Sequence, residues 1–269
     1  MAMTTPNTLW LIGCGNMAGA MLRRWIAAGA VRGEDVFVLN RSDRALPEGV
    51  RQGRALPEGA LPDAVMLGVK PQQIDAIADQ VAARIAGVPM LVSILAGVEE
   101  AALAARFKAG SIIRAMPKLP VEIGKGVVAL HSDSADAEAR DRAGALMAPL
   151  GLTEWVDAAR FDAVTALAGS GPAFVYRFID ALAAAGAAIG IPSDQALRLA
   201  LATVEGGALL AAQAADTPAV LADKVASPGG STRTGLDILD ADSALVKLLT
   251  ATLEASQRRN AEMAAAARG

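Results

Sequence analysis

Five short apolar runs in the first half of the chain, separated by helix-like segments, limit the fold more than any other feature. Residues 9–12, 35–39, 64–69, 90–95 and 111–115 are apolar almost without alternation. A strand of that kind is buried on both faces, as in a parallel sheet covered by helices. Helix candidates lie between most of the runs, at 17–28, 72–85 and 98–108. The series predicts βαβ units and a largely parallel, doubly wound sheet, completed by strand-like pieces at 126–130 and 153–156. One link is different. The hexapeptide at 44–49 recurs at 54–59, and its prolines and glycines predict a loop or one short turn there.

After about residue 160 the strand signals stop. Segments 172–190, 193–215, 218–225, 231–239 and 243–266 have helical patterns, several starting at Ser or Pro. Alanine covers several faces of them, which predicts burial on more than one side and hence a partner subunit. At 269 residues the chain exceeds the usual size of about 100–200 residues per domain. Two domains are expected: 1–160, a Rossmann-like dinucleotide-binding domain, and 161–269, a helical domain for substrate binding and dimerisation.

Composition excludes several classes. A net charge of -3, with no basic block interleaved with aromatics, argues against a nucleic-acid partner. Mean hydropathy is +0.37, yet charges such as Arg177, Asp180 and Glu205 interrupt every long apolar stretch, so no membrane span of about 18 residues is expected. The first eight residues lack the basic region of a signal peptide, and a cytoplasmic location is expected. The single cysteine, Cys14, excludes an intrachain disulfide, and the single histidine, His131, argues against a metal site. His131 lies in a polar stretch and is expected at the surface.

Gly13-Cys14-Gly15-Asn16-Met17-Ala18-Gly19 follows the first strand and opens the first helix. In that context Gly13 permits a tight turn, Gly15 lets a pyrophosphate approach the backbone, and Ala18 and Gly19 permit close packing of helix on strand. Cys14 is expected to be a small packing residue, although a helix N-terminus there would lower its pKa. An NAD site would place Asp or Glu at the end of the second strand; here stand Asn40, Arg41 and Ser42, with Arg44 close behind. Cationic donors at that point favour a 2′-phosphate, so NADP(H) is the preferred cofactor, with NAD(H) still open.

A second ligand signal lies at 225–236. Pro228, Gly229 and Gly230 predict exposed backbone N–H groups at the entry to a helix, and Ser231 and Thr232 add hydroxyls. A small carboxylate suits such a turn, and so does simple helix capping.

Three segments together resemble the pyrroline-5-carboxylate reductase family: 13–21, 166–176 with its Gly169-Ser170-Gly171-Pro172 core, and 225–232. Gly68-Val69-Lys70-Pro71-Gln72 and Arg114-Ala115-Met116-Pro117 match in order, so the resemblance spans nearly the whole chain. It implies reduction of the cyclic imine 1-pyrroline-5-carboxylate to L-proline with NAD(P)H, the last step of proline biosynthesis, in a site between domains at a dimer interface. By motif match Gly13, Asn16, Met17, Asn40, Val69, Lys70, Pro71, Ala96 and Gly97 would touch cofactor, as would Gly68 in the same motif. Ser227, Gly229, Gly230, Ser231 and Thr232 would hold substrate, with Thr232 at the ring nitrogen. The resemblance further implies a homodimer, often assembled into a decamer.

One motif departs from the family. Its usual Met-Pro-Asn-Thr-Pro is Met116-Pro117-Lys118-Leu119-Pro120 here. Lys118 is a candidate substrate-binding residue with three roles open: pairing a substrate carboxylate, donating a proton, or turning to solvent or a structural pair, the last being the expectation. The departure leaves two alternatives, a reductase of another cyclic imine acid and a cofactor-binding regulator without turnover. A β-hydroxy-acid dehydrogenase is a weaker alternative, because neither Lys224 nor Lys247 lies where that class carries its catalytic lysine.

Overall fold

The computed structural model describes residues 5–266. The first four residues, on which the signal-peptide expectation partly rests, lie outside that range. Within it the chain forms two compact units, one running to Gly169 and resuming at Ser256, the other spanning Ser170–Ala255.

The first unit is an eight-stranded sheet. Its strands are β1 Leu9–Ile12, β2 Val36–Leu39, β3 Arg51–Gly53, β4 Ala64–Leu67, β5 Val88–Ser93, β6 Ala109–Met116, β7 Gly126–His131 and β8 Gly151–Trp155. They lie in the order β3-β2-β1-β4-β5-β6-β7-β8, and only the β6–β7 pairing is antiparallel. The five central apolar runs are strands as expected. The stretch expected to be a loop or one short turn contains β3, which pairs with β2 from Phe37↔Arg51 to Leu39↔Gly53. Its residues are exposed or half-buried, so this edge strand carries no apolar signal.

Helices cover both faces, and the strands divide their side chains between them. Leu9, Leu11, Val36, Val38 and Met66 meet Met21, Leu22 and Trp25 of α1 (Asn16–Ala27) and Leu146 and Met147 of α4 (Ala137–Met147). Trp10, Ile12, Phe37 and Val65 meet Val81 of α2 (Ile74–Val81) and Leu103 of α3 (Glu100–Ala104) on the other face. Trp25 is fully buried, and its Nε1 donates to the Leu146 carbonyl at 2.6 Å, tying α1 to α4. The segment expected to be helical over 98–108 keeps only the short α3.

Glu100 of α3 explains a second departure. It is buried, and its carboxylate accepts from Ser134 Oγ at 2.6 Å, from the Ser134 N–H at 3.0 Å and from the Asp133 N–H at 2.7 Å. The polar stretch after β7 is thus held inward. His131 is 7% exposed instead of lying on the surface, with Nδ1 3.0 Å from the Val156 carbonyl. Glu100, His131 and Asp133 bring ligand atoms within 4.8 Å of one another, but the Glu100 oxygens already serve as acceptors for the turn.

α5 (Ala158–Val164) runs into a widened π-helical turn, Thr165–Gly169, where the first unit ends. The second unit is helical: α6 Gly171–Ala188, α7 Ser193–Gln213, α8 Pro218–Val225, α9 Ser231–Asp240, and α10 Ala244–Ala266 as far as Ala255. α6 and α7 pack closely through small residues, with Ala183, Ala196 and Ala200 buried. A Cβ on Gly186 would stand 3.4 Å from that of Ala196. No helix among the described residues is long and apolar enough to cross a membrane.

Candidate functional site

The turn between β1 and α1 rests on Gly13, a glycine that no larger residue can replace. Gly13 has φ +84°, its N–H donates to the Leu39 carbonyl at 2.9 Å, and a Cβ there would come within 2.7 Å of Val69 Cγ1. Gly68, leaving β4, is locked against it: a Cβ would lie 2.6 Å from the Gly13 carbonyl oxygen and 3.0 Å from Ala18 Cβ. Gly15 differs, since a Cβ there would meet nothing within 4 Å. It precedes α1, whose first turn has neither a side-chain cap nor an acidic residue. The orphan N–H groups of α1 therefore face an open approach, the arrangement that accepts a phosphate.

The other cofactor candidates gather at the same carboxyl edge. Asn40, Arg41 and Ser42 follow β2, Val69, Lys70 and Pro71 follow β4, and Ala96 and Gly97 follow β5, with Gly97 at φ +74°. A cavity of about 500 Å³ is lined by Gly13, Gly15, Asn40, Arg41, Ser42, Gly68, Val69 and Lys70. Asn16 lines a second cavity, of about 430 Å³, and Arg44 lines both. Met17 is half-buried in the first turn of α1. Asn40 holds the turn, because its Oδ1 accepts from the Cys14 N–H at 3.0 Å. Its buried Nδ2 has no partner among the described residues, a donor left for a ligand.

The cationic rim was only partly visible in sequence. Arg54 and Gln73 also line the larger cavity, and neither was singled out. Arg54 donates to the Arg41 carbonyl and lies 3.4 Å from Asp43, so the acid that follows β2 is already opposed by a cation. With its amide turned to accept, Gln73 takes the Arg41 guanidinium at 3.0 Å. Cys14 is buried, and desolvation raises its thiol pKa, with Arg44 and Arg23 opposing more weakly. The lowering expected from the helix end does not prevail, and Cys14 is a packing residue. These features fit a dinucleotide: a glycine turn, an orphan amide and an arginine rim.

Lys118 stands at the same edge, just beyond β6. It is half-buried, and burial lowers its pKa. It neither reaches solvent freely nor forms an ion pair among the described residues.

In the second unit the turn between α8 and α9 has Gly229 at φ +71°. The Gly230 N–H donates to the Ser227 carbonyl at 2.9 Å, closing the turn. Of the N–H groups expected to be open, that of Gly230 is thus engaged, and the first-turn donors of α9, on Ser231, Thr232 and Arg233, lie just beyond it. α9 has no side-chain cap, and Ser227, Ser231 and Thr232 are exposed. Arg233 pairs with Asp223 at 2.6 Å.

Comparison with known proteins agrees with both units. Residues 158–263 match the pyrroline-5-carboxylate reductase dimerisation family, and residues 8–97 match the family described as NADP oxidoreductase coenzyme F420-dependent. The pyrroline-5-carboxylate reductase of Synechocystis sp. is 35% identical over 265 residues, covering 93% of this chain and 97% of that protein. The structure of a pyrroline-5-carboxylate reductase from Coxiella burnetii superposes with a TM-score of 0.87 at 28% identity, covering 96% of this chain and 99% of that one. The Plasmodium falciparum pyrroline carboxylate reductase with NADP bound shares the fold, with a TM-score of 0.80 at 22% identity over 97% of this chain and 99% of that one. A phosphate turn closed to side chains at Gly13, an arginine rim in place of an acid, a helical unit matching a dimerisation family and near full-length identity above 30% agree on one assignment: the chain belongs to the pyrroline-5-carboxylate reductase family.

Proposed function

We propose that the protein reduces 1-pyrroline-5-carboxylate to L-proline with NADPH, the final step of proline biosynthesis. The observation that carries this reading is the fitted cofactor edge joined in one chain to a family-matched helical unit. Bound NADPH supplies the hydride. The chain's own task is to hold the cofactor and to fix and polarise the imine. The orphan N–H groups of α1 and the Asn40 amide suit the pyrophosphate side, and Arg41 with Arg54 suits a 2′-phosphate better than a bare hydroxyl. Val69, Lys70, Pro71, Ala96 and Gly97 are proposed to line the path towards the nicotinamide.

For the substrate we assign the turn at 227–232. A carboxylate suits the open N–H groups of Ser231 and Thr232, and the Thr232 hydroxyl is given to the ring nitrogen. The Gly230 N–H shapes this turn through Ser227. Lys118 is retained on the substrate side of the site, facing the imine ring and leaving the carboxylate to the 227–232 turn. The same reading carries a homodimer, a possible decamer and a cytoplasmic location, with 1–160 as the nucleotide-binding domain and 161–269 as the helical one.

The test is NADPH oxidation by purified protein with a panel of cyclic imine acids. Pyrroline-5-carboxylate should be the best substrate, and Thr232→Ala should lower kcat/KM by about tenfold, the loss of one positioned hydrogen bond. Tight NADPH binding with no oxidation by any imine would instead favour a regulator.

A further inference from the structure

β5 and β6 run parallel, and β6 ends two residues beyond its last pair with β5. Ser93 pairs with Arg114, and the chain then leads to Gly97 on one side and to Lys118 on the other. The order β2-β1-β4-β5-β6 sets the rim at Arg41 about 14 Å, three strand spacings, from the end of β5. A dinucleotide laid along this edge, with its 2′-phosphate at Arg41 and its pyrophosphate at Gly15, brings the nicotinamide to the ends of β5 and β6. Lys118 is the first ionisable side chain after β6 there.

The surroundings of Lys118 are unusual for a lysine. Its stem lies on the backbone of Gly169 in the π-helical turn, where an added Cβ would come within 2.8 Å of Cε and 3.2 Å of Nζ. Thr165 Cγ2 would lie 3.1 Å from the same Cβ, so the space over Gly169 is already filled by the lysine stem and a threonine methyl. Among the described residues no carboxylate pairs with it and no hydrogen bond holds it. Desolvation without a counter-charge favours the neutral amine, so this lysine gives up its proton more easily than an exposed one.

We propose that Lys118 is the general acid of the reaction, donating a proton from Nζ to the ring nitrogen of the cyclic imine. The proposal rests on the imine-reductase reading above. Hydride forms the new C–H bond and the C=N π pair moves to nitrogen. That pair takes a proton from the Lys118 ammonium, forming N–H. Nζ is left neutral and recovers its proton from water; the imine is reduced and the nicotinamide oxidised. A hydroxyl such as that of Thr232 orients a nitrogen but does not itself ionise near neutral pH, whereas a desolvated ammonium does.

Steady-state kinetics of wild type, Lys118→Gln and Lys118→Arg with NADPH and pyrroline-5-carboxylate, from pH 5.5 to 9.5 at roughly unit steps, test the assignment. Lys118→Gln should lose little kcat at the acid end, where the imine arrives protonated, and about 100-fold in the middle of the range, where the imine is neutral and Lys118 still holds its proton. The gap should close again at the alkaline end, where the wild-type amine is itself deprotonated, with KM nearly unchanged. Lys118→Arg should not restore kcat, since a guanidinium keeps its proton. NMR titration of the lysine side chains, without cofactor or substrate, should show one ammonium titrating below the rest, and that signal should be absent from Lys118→Gln. A loss equal at every pH, a KM defect rescued by arginine, or a Lys118 signal that titrates with the other lysines would overturn the proposal. A wild type that binds NADPH but reduces no cyclic imine would refute the underlying reading, and the proposal with it.

Discussion

Trp25 of the first unit is fully buried, whereas Phe178 of the second is 52% exposed, and the contrast extends to most large apolar residues of the two units. In the first, every central strand places side chains into one of two apolar layers closed by α1 and α4 or by α2 and α3. In the second, the buried residues of α6 and α7 are alanines, none is buried in α8 or α9, and Leu210 and Leu248 are 63% and 66% exposed. One chain completes the first core. The second leaves open an apolar surface of the kind that homo-oligomers cover, in agreement with its match to a dimerisation family.

That difference can be broken by experiment, and the largest effect is expected in the second unit. Phe178→Asp combined with Leu210→Asp should weaken association by about 10,000-fold or more, over about 5 kcal/mol, seen as a fall to single-chain mass in light scattering, with NADPH binding retained. Wild-type mass in that variant would place the contact elsewhere. Trp25→Ala should act within a single chain, lowering unfolding free energy by about 3–5 kcal/mol in denaturant titration and orphaning the Leu146 carbonyl. A loss that disappeared at high protein concentration would contradict a self-sufficient first core. Smaller still, Arg41→Ala should weaken NADPH by about tenfold in fluorescence titration while leaving NADH nearly unchanged. The smallest effect belongs to the exposed Arg177–Asp180 pair on α6, at 2.9 Å. Arg177→Ala should change stability by under about 0.5 kcal/mol, because solvent screens such pairs, unless a partner chain covers it.

The sequence made the central strands legible because burial on both faces leaves unbroken apolar runs. It hid β3, whose three residues at the sheet edge bury little. His131 was misplaced for a related reason: the polar residues after β7 are held inward by Glu100, and a hydrogen-bonded turn has no periodicity to detect. The glycine turn was legible because positive φ and close approach at Gly13 demand one residue type, and because it sits between a strand and a helix. Arg54 and Gln73 were not, since long polar side chains reach the cavity from positions that resemble ordinary surface. Lys118 stood out only as a departure from the family motif, and its burial under the π-helical turn needed the fold.

The interlock of Gly13, Gly68 and Ala18 also bears on how this protein can change over time. A side chain at Gly13 would strike Val69 and the Gly68 backbone, and one at Gly68 would strike the Gly13 carbonyl and Ala18, so single substitutions at either glycine meet a steric wall and drift is blocked. The arginines of the rim touch that interlock only through ligand and loop. Cofactor choice can therefore be rewritten one exposed residue at a time, while the phosphate turn is inherited whole.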